Sequence, residues 1–443
     1  MKIALISPKG PLYRHKTGIF RKSLRAAPLT LTTLAALVPK ELQADVALHD
    51  EGIEVLPESL DADLIGMTVI TGTAPRAYQL AAQYRAAGKT VVLGGPHVTL
   101  APDDAKPHAD TIVTGYAEET WPALLRDYEY GELRAHYQMA PDFSLKKPEN
   151  LVFAKRSLLK RKAYRTSHTF EATRGCVHQC DFCVVPAAWS GGPYQKPVEH
   201  VVEDIQQTRS KYVLFYDLNL IANRQYAESL FKALVPLRVK WFGLASTLLS
   251  THMMDLMARS GCRGLLIGFE NVLPNALDAV NKSFNRPSRY CELVSRLHDR
   301  GILINGTFMF GTDAENTDSF KCVEEFVMSA GIDLPRYSIV TPFPGTPLFR
   351  RLEKEGRILT MDWSQYDGQH VVYRPKCMSV EQLQEGHERV WKATYSVSGI
   401  VKRTAARLHD MFAAYPLVLT TNLGYRYYAN NLSRFYTCMG GIA

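Results

Sequence analysis

The sequence predicts an α/β chain in three parts: a doubly wound parallel sheet at the N-terminus, a partial barrel of β/α units in the middle, and a mainly helical C-terminal region. Three observations lead there. Short apolar runs alternate with helical patterns over residues 1–125, as a parallel sheet with crossover helices requires. The strand–helix pattern returns over residues 166–370 in six units, too few for a closed eight-stranded barrel. Beyond 370, Ser379-Val380-Glu381-Gln382 has the form of a capping box and opens a helix. These patterns set domains at 1–125, 166–370 and 371–443, with 126–165 as a linker, and 443 residues suffice for two or three cores.

Composition narrows the class. No run of about 18 apolar residues suggests a membrane span, and the opening Met1-Lys2-Ile3-Ala4-Leu5-Ile6-Ser7-Pro8 reads as a strand rather than a signal peptide. The chain has 8 cysteines, too few for its length to form a disulfide scaffold; Cys262, Cys291, Cys322, Cys377 and Cys438 are scattered. A reducing, cytoplasmic setting is expected. The net charge of +8 is spread along the chain, which favours an acidic substrate or membrane surface and does not imply nucleic acid.

In the first segment the strands are expected at Ile3–Ser7, Val46–Asp50, Leu64–Thr71, Thr90–Leu93 and Thr111–Thr114, with helices at Leu31–Val38, Pro75–Ala87 and Trp121–Tyr128. Open parallel sheets bind ligands at the carboxyl ends of their strands. Thr68 to Gly72, Gly94-Gly95-Pro96-His97 and Gly115 to Thr120 stand there. Their glycines let a ligand approach the backbone, or simply make tight turns. The linker is charged and turn-rich, and its basic run Lys155, Arg156, Lys160, Arg161, Lys162 reads as a solvated connector.

The most specific stretch is Thr173-Arg174-Gly175-Cys176-Val177-His178-Gln179-Cys180-Asp181-Phe182-Cys183, a C-x3-C-x2-C loop. A [4Fe–4S] cube normally takes four thiolates, so three leave one iron open to a small molecule. A structural zinc site would use four ligands in paired spacings; His178 sits too close to its neighbours for that pattern. Three buried free cysteines are the remaining reading. The loop resembles that of the radical S-adenosylmethionine (SAM) enzymes. The resemblance implies a [4Fe–4S] cluster on Cys176, Cys180 and Cys183, SAM on the fourth iron, and reductive cleavage of SAM to a 5′-deoxyadenosyl radical. An electron donor such as flavodoxin or ferredoxin is implied with it.

After the strand Thr169–Thr173 the expected strands are Tyr212–Asp217, Trp241–Ser246, Gly264–Glu270, Leu303–Gly311 and Tyr337–Thr341. The set resembles the family's partial (β/α)6 barrel, with function at the carboxyl ends of strands. By that resemblance Asp217 and Asn219 take the amino group of SAM, Ser246 and Thr247 its methionine part, and Glu270 the ribose. Thr307, within Asn305 to Gly311, lies beside adenine, and Phe182 offers its backbone there. Taken singly, Asp217 or Glu270 would more often be a helix cap or surface acid. The proline-rich Thr341 to Pro347 turn, Pro28-Leu29-Thr30-Leu31 and the glycine turns resemble the branch with a Rossmann-like cobalamin-binding domain. Thr68, Gly94, Gly95 and Gly115 are then the cobalamin residues. The D-x-H-x-x-G motif is absent, and His97 is followed by Val98-Thr99-Leu100, so no histidine ligand to cobalt is expected.

The tail carries Phe412, Tyr415, Tyr425, Tyr427, Tyr428, Phe435 and Tyr436, with Lys402, Arg403, Arg407, Arg426 and Arg434 against the single acid Asp410. It reads as a helical cap on the barrel, with a substrate cover or peripheral membrane contact as alternatives. Three activities follow from the whole. The first is cobalamin-dependent methyl transfer to an unactivated carbon of a small-molecule substrate. The others are radical cyclisation or rearrangement, and a non-catalytic iron–sulfur or zinc protein. Tyr366, His370 and Tyr373 are candidates for radical or proton handling, or plain packing.

Overall fold

The computed structural model describes residues 1–10, 26–189, 192–404 and 415–432. Phe412, Phe435, Tyr436, Arg407, Asp410, Arg434 and Cys438 lie outside them, and of Tyr415 only the backbone is described.

The first sheet holds β1 (Lys2–Ser7), β2 (Asp45–Asp50), β3 (Leu64–Thr68), β4 (Thr90–Gly94), β5 (Thr111–Thr114) and β6 (His136–Gln138), in the order β2-β1-β3-β4-β5-β6. Every pairing is parallel. The central strands are apolar on both faces because both are covered. Leu31, Ala35, Trp121, Leu124 and Leu125, from the helices Leu29–Ala36 and Thr120–Glu129, pack on one face against Ile3, Leu5, Val92 and Val113. Ala77, Leu80, Ala81 and Tyr84, from the helix Ala74–Ala86, share a core with Ala4, Ile6, Ile65 and Val91 on the other. The strand order reverses between β1 and β3, the place where such sheets bind ligands.

Two expectations for residues 126–165 need correction. β6 lies within the expected linker and pairs with β5; at three residues it is too short to carry a period-2 signal. Arg156 is not solvated. It is buried, and its guanidinium grips Asp204 at 2.7 and 2.8 Å and donates to the Thr169 carbonyl. The basic run therefore contains a tie to the barrel.

The second sheet runs β7 (Thr169–Phe170), β10 (Tyr212–Phe215), β11 (Lys240–Ala245), β12 (Cys262–Glu270), β13 (Leu303–Phe310), β14 (Arg336–Ile339), all parallel, with β7 and β14 as its end strands. It is a six-stranded open barrel. Between β7 and β10, β8 (Thr173–Arg174) and β9 (Tyr194–Gln195) form a small antiparallel ladder beside the cysteine loop. The first strand is shorter than its sequence suggests. The N–H groups of Ala172 and Thr173 leave the ladder and donate to the Asp217 carboxylate.

The C-terminal helices Val380–Thr394, Val397–Thr404 and Tyr415–Ala429 cover the β14 edge. Ser379 and Gln382 make the expected capping box. Trp391 Nε1 donates to the Tyr337 carbonyl at 3.1 Å. Arg403 is buried, donating to the carbonyls of Ile332 and Asp333 and to Asn422 Oδ1. Tyr425 and Tyr428 are buried as well. Among the described residues no helix is long and apolar enough to cross a membrane.

One contact between sheet and barrel is polar. His97 is fully buried, its Nε2 lying 3.0 Å from both Tyr78 Oη and Asp104 Oδ2, and Trp363 Nε1 donates to the same Asp104 oxygen at 3.1 Å. These bonds, with that from Tyr78, outweigh burial and hold Asp104 down at about 2.

Candidate active site

The cysteine loop is pinned from three directions. Asp181 N–H donates to the Val280 carbonyl, Asn281 Nδ2 to the Gln179 carbonyl, and Leu348 N–H to the Asp181 carbonyl. A turn from Cys183 N–H to the Cys180 carbonyl sets the last two thiols together. Burial pushes Cys180 up to about 12 and Cys183 up to about 11, the latter against a backbone hydrogen bond; each is raised further by the other sulfurs and lowered by Lys282. Ligation at these positions must therefore release protons. Three thiols carried on one loop are a donor set that fits three corners of an iron–sulfur cube.

The strand-end residues divide into two kinds. Asp217 is fully buried, and its carboxylate serves the N–H groups of Ala172 and Thr173. Burial, with Glu171 nearby, pushes it up to about 7 against those bonds. This corrects the expectation that Asp217 faces SAM: its oxygens hold the strand leading into the loop. Asn219 stands differently. Its Nδ2 is 3.8 Å from Cys176 Sγ, and its Oδ1 is buried without a partner. A buried acceptor beside Cys176, unsatisfied among the described residues, is open to a donor group of a ligand. Ser246 and Thr307 are half-buried; Ser246 Oγ accepts from Leu248 N–H, and Thr307 pairs in register with Arg336. Phe182 is partly buried on the core.

Glu270 ends β12 at a break in register and adopts φ 63°, uncommon for a residue with a side chain. Its Oε1 accepts from Lys282 Nζ at 2.6 Å. Burial works against the Lys282 charge, but Glu270, Cys180 and Cys183 keep its pKa raised. Glu270 therefore pairs with a lysine, and Lys282, 5.8 Å above the Phe182 ring, is a cation beside the cysteine loop. Nothing in a motif marked Lys282; it follows β12 in a loop whose approach only the fold decides.

A single cavity of about 570 Å³ joins the two sheets. Thr68, Gly94, Gly95 and Gly115 line it from the first, and Cys183, Leu244, Leu266 and Thr307 from the barrel. Gly95 has φ 106°, and a Cβ there would come within 2.8 Å of the Val69 nitrogen, so only glycine fits the turn. At the junction, Arg174 pairs with Glu118 at 2.5 Å and Glu171 at 2.7 Å, and lies 4.8 Å above the Tyr116 ring, which stacks on Trp189. Glu118 and Trp189 line the same cavity, and Glu118 Oε2 and Trp189 Nε1 are buried without partners among the described residues. An acceptor and a donor left open beside glycine turns fit a large, amide-rimmed ligand such as cobalamin. His97 stands outside the lining of this cavity, held by Tyr78 and Asp104.

The other candidates lie in the packing. Tyr366 and Tyr373 are buried, with hydroxyls on the carbonyls of Thr360 and Gly311. His370 Nδ1 is held by Asp367 at 2.8 Å. Sequence reasoning missed the roles of Glu118 and Arg174, although both stand in quoted stretches; their pairing joins segments 56 positions apart. It also missed Arg336, Gln369 and Trp391, which line the cavity from the β14 edge.

Residues 25–125 match the family model for the B12 binding domain and 170–327 that for the Radical SAM superfamily, while 346–421 match a domain of unknown function (DUF4070). The chain is 31% identical over 388 residues to bacteriochlorophyllide d C-12(1)-methyltransferase of Chlorobaculum tepidum, covering 85% of this chain and 84% of that one. It is 28% identical over 369 residues to the C-8(2)-methyltransferase of the same organism, covering 78% and 80%. Among solved structures, the cobalamin-dependent SAM radical enzyme OxsB superposes with a TM-score of 0.68 at 14% identity, covering 98% of this chain and 72% of that one. The chain thus belongs to the cobalamin-dependent radical SAM enzymes, whose cofactors are a [4Fe–4S] cluster, SAM and cobalamin.

Proposed function

We propose that the protein methylates a carbon atom of a tetrapyrrole carboxylic acid. When bound, the cluster and SAM supply a carbon-centred radical that removes hydrogen, and cobalamin supplies the methyl group. The observation that carries the reading is the single cavity running from the glycine turns of the first sheet past Cys183 into the barrel. A hydrogen-abstracting centre and a methyl donor must face one substrate from two sides. The substrate class is supported by the two bacteriochlorophyllide methyltransferases among its relatives.

In this reading Cys176, Cys180 and Cys183 hold the cluster, and Asn219 orients the amino group of SAM. Ser246 lies along its methionine part, Glu270 at the ribose, and Thr307 and the backbone of Phe182 at adenine. Thr68, Gly94, Gly95 and Gly115 cradle the corrin. Asp217 and the Arg174–Glu118 pair keep the cysteine loop in register with the first domain. The cavity wall from Leu29 to Leu37 and Trp391 excludes water from the reacting carbon. A small electron-transfer protein such as flavodoxin or ferredoxin supplies the electron, and the buried side chains of the C-terminal helices favour a cap over membrane contact.

The test is anaerobic reconstitution with iron, sulfide and hydroxocobalamin, followed by turnover of a bacteriochlorophyllide with CD3-labelled SAM. A deuterated methyl group in the product, with 5′-deoxyadenosine and S-adenosylhomocysteine formed beside it, is expected. Product formed without label, or a chain that binds a cluster but retains no corrinoid, refutes methyl transfer and favours cyclisation or rearrangement.

A further inference from the structure

The β14 wall of the cavity carries a charge left unpaired among the described residues. β14 alternates, so Arg336 and Ser338 share one face and Tyr337 and Ile339 the other. Tyr337 is spent on the C-terminal helices, its hydroxyl against Thr394 and its carbonyl accepting from Trp391. Arg336 and Ser338 line the cavity. Beside them, the Ile339 N–H donates to the Gly368 carbonyl at 2.7 Å. That bond seats the segment Asp367-Gly368-Gln369 along the edge of β14, and Asp367 and Gln369 also line the cavity.

Among the described residues the Arg336 side chain has no ion-pair partner and makes no hydrogen bond. The nearest acid of the segment does not serve it: Asp367 accepts from the N–H groups of Gln369 and His370 and from His370 Nδ1. Gln369 is buried, and its Oε1 has no partner. Elsewhere at this cavity the guanidinium is neutralised, as Arg174 is by Glu118 and Glu171. A half-buried guanidinium without a counter-ion among the described residues, in a cavity that Leu244, Leu266 and Trp391 also line, is costly unless a ligand completes it.

We propose that Arg336 and the Gln369 amide form the anchoring subsite for an ionised carboxylate of the methyl acceptor. This rests on the tetrapyrrole reading and deepens it. Arg336 presents a planar fork that matches a carboxylate with two parallel bonds. The Gln369 amide, turned end for end about its last torsion, offers N–H to the same group. The acceptor is then an amphipathic acid held by its charged end at the β14 edge, with its apolar body directed toward Cys183. Both residues are positioning and specificity groups, distant in role from the cluster cysteines.

The experiment uses the reconstituted holoenzyme and reads quenching of tryptophan fluorescence by protoporphyrin IX and by its dimethyl ester, in the wild type, Arg336→Met and Arg336→Lys. The absorbance of cluster and corrinoid shows that each variant is loaded. The wild type is expected to bind the acid about tenfold or more tightly than the ester. Arg336→Met should lose that preference by weakening the acid alone, and Arg336→Lys should recover part of it. Equal binding of acid and ester by the wild type, or equal weakening of both in Arg336→Met, overturns the anchor. If neither porphyrin binds, the tetrapyrrole reading fails, and the anchor is decided by the same comparison with 1-pyrenebutyrate and its methyl ester. A lost acid preference there in Arg336→Met upholds it, and equal or absent binding overturns it.

Discussion

Asp217 and Asn219 stand two residues apart at the end of β10, and the structure gives them different work. Replacing Asp217 with Leu removes the acceptor of two buried N–H groups, those of Ala172 and Thr173. Leaving a buried donor unsatisfied costs about 1–3 kcal/mol, so the strand entering the cysteine loop should lose roughly 2–6 kcal/mol of local stability. Asp217→Asn keeps one acceptor oxygen and should lose about half of that. Hydrogen exchange of the peptide spanning residues 170–176 reads the change directly; even the lower bound corresponds to exchange faster by about thirtyfold. The pH dependence has a defined sign. Burial and Glu171 push Asp217 from 3.8 up to about 7 in the folded state, so the folded chain holds that proton more tightly than the unfolded one. This group's contribution is fully present below about pH 4 and is lost as pH rises toward about 7 and beyond. Asp217→Asn should abolish that slope. SAM binding should follow the opposite pattern, weakened severalfold by Asn219→Ala and nearly unchanged by Asp217→Asn. Unchanged exchange in Asp217→Leu, or equal loss of SAM affinity in Asn219→Ala and Asp217→Asn, would refute the division of roles.

Three further outcomes follow from the same geometry. Changing Cys176, Cys180 and Cys183 together to Ala should abolish bound iron and SAM cleavage while circular dichroism stays near wild type; iron and cleavage at normal levels would sink the cluster assignment. Lys282→Met removes a cation that interacts with Cys180 and Cys183 and should make the reconstituted cluster harder to reduce. A tenfold change in the reduction equilibrium is about 59 mV for one electron, readable by redox titration of the cluster's paramagnetic signal, and a potential equal to wild type would show that Lys282 serves only Glu270. His97→Ala removes a bond that holds Asp104, the acceptor of Trp363 Nε1, so Trp363 fluorescence should shift to the red with the corrinoid spectrum unaltered. A changed corrinoid spectrum would place His97 at the cobalt after all.

Much of this protein is local and therefore legible in its sequence. The two sheets, their strand candidates and the capping box at Ser379 follow from apolar periodicity and cap chemistry within a few residues. The three cysteines are a compact motif whose spacing alone restricts the metal chemistry, and the glycine turns stood where an open parallel sheet opens to a ligand. What failed was also systematic. β6 was too short to show a period, and Arg156 looked solvated because its partner Asp204 lies 48 positions away. A carboxylate at a strand end does not reveal which way it faces; only the tertiary structure turns Asp217 onto the backbone of Ala172 and Thr173. Lys282, the Glu118–Arg174 pair and the unpaired Arg336 belong to the same class. Their meaning depends on which charges burial brings together, and burial is set by the packing of segments far apart in the chain. The sequence determined the fold class and the cluster loop; the tertiary structure decided which polar groups are spent on the fold and which are left for ligands.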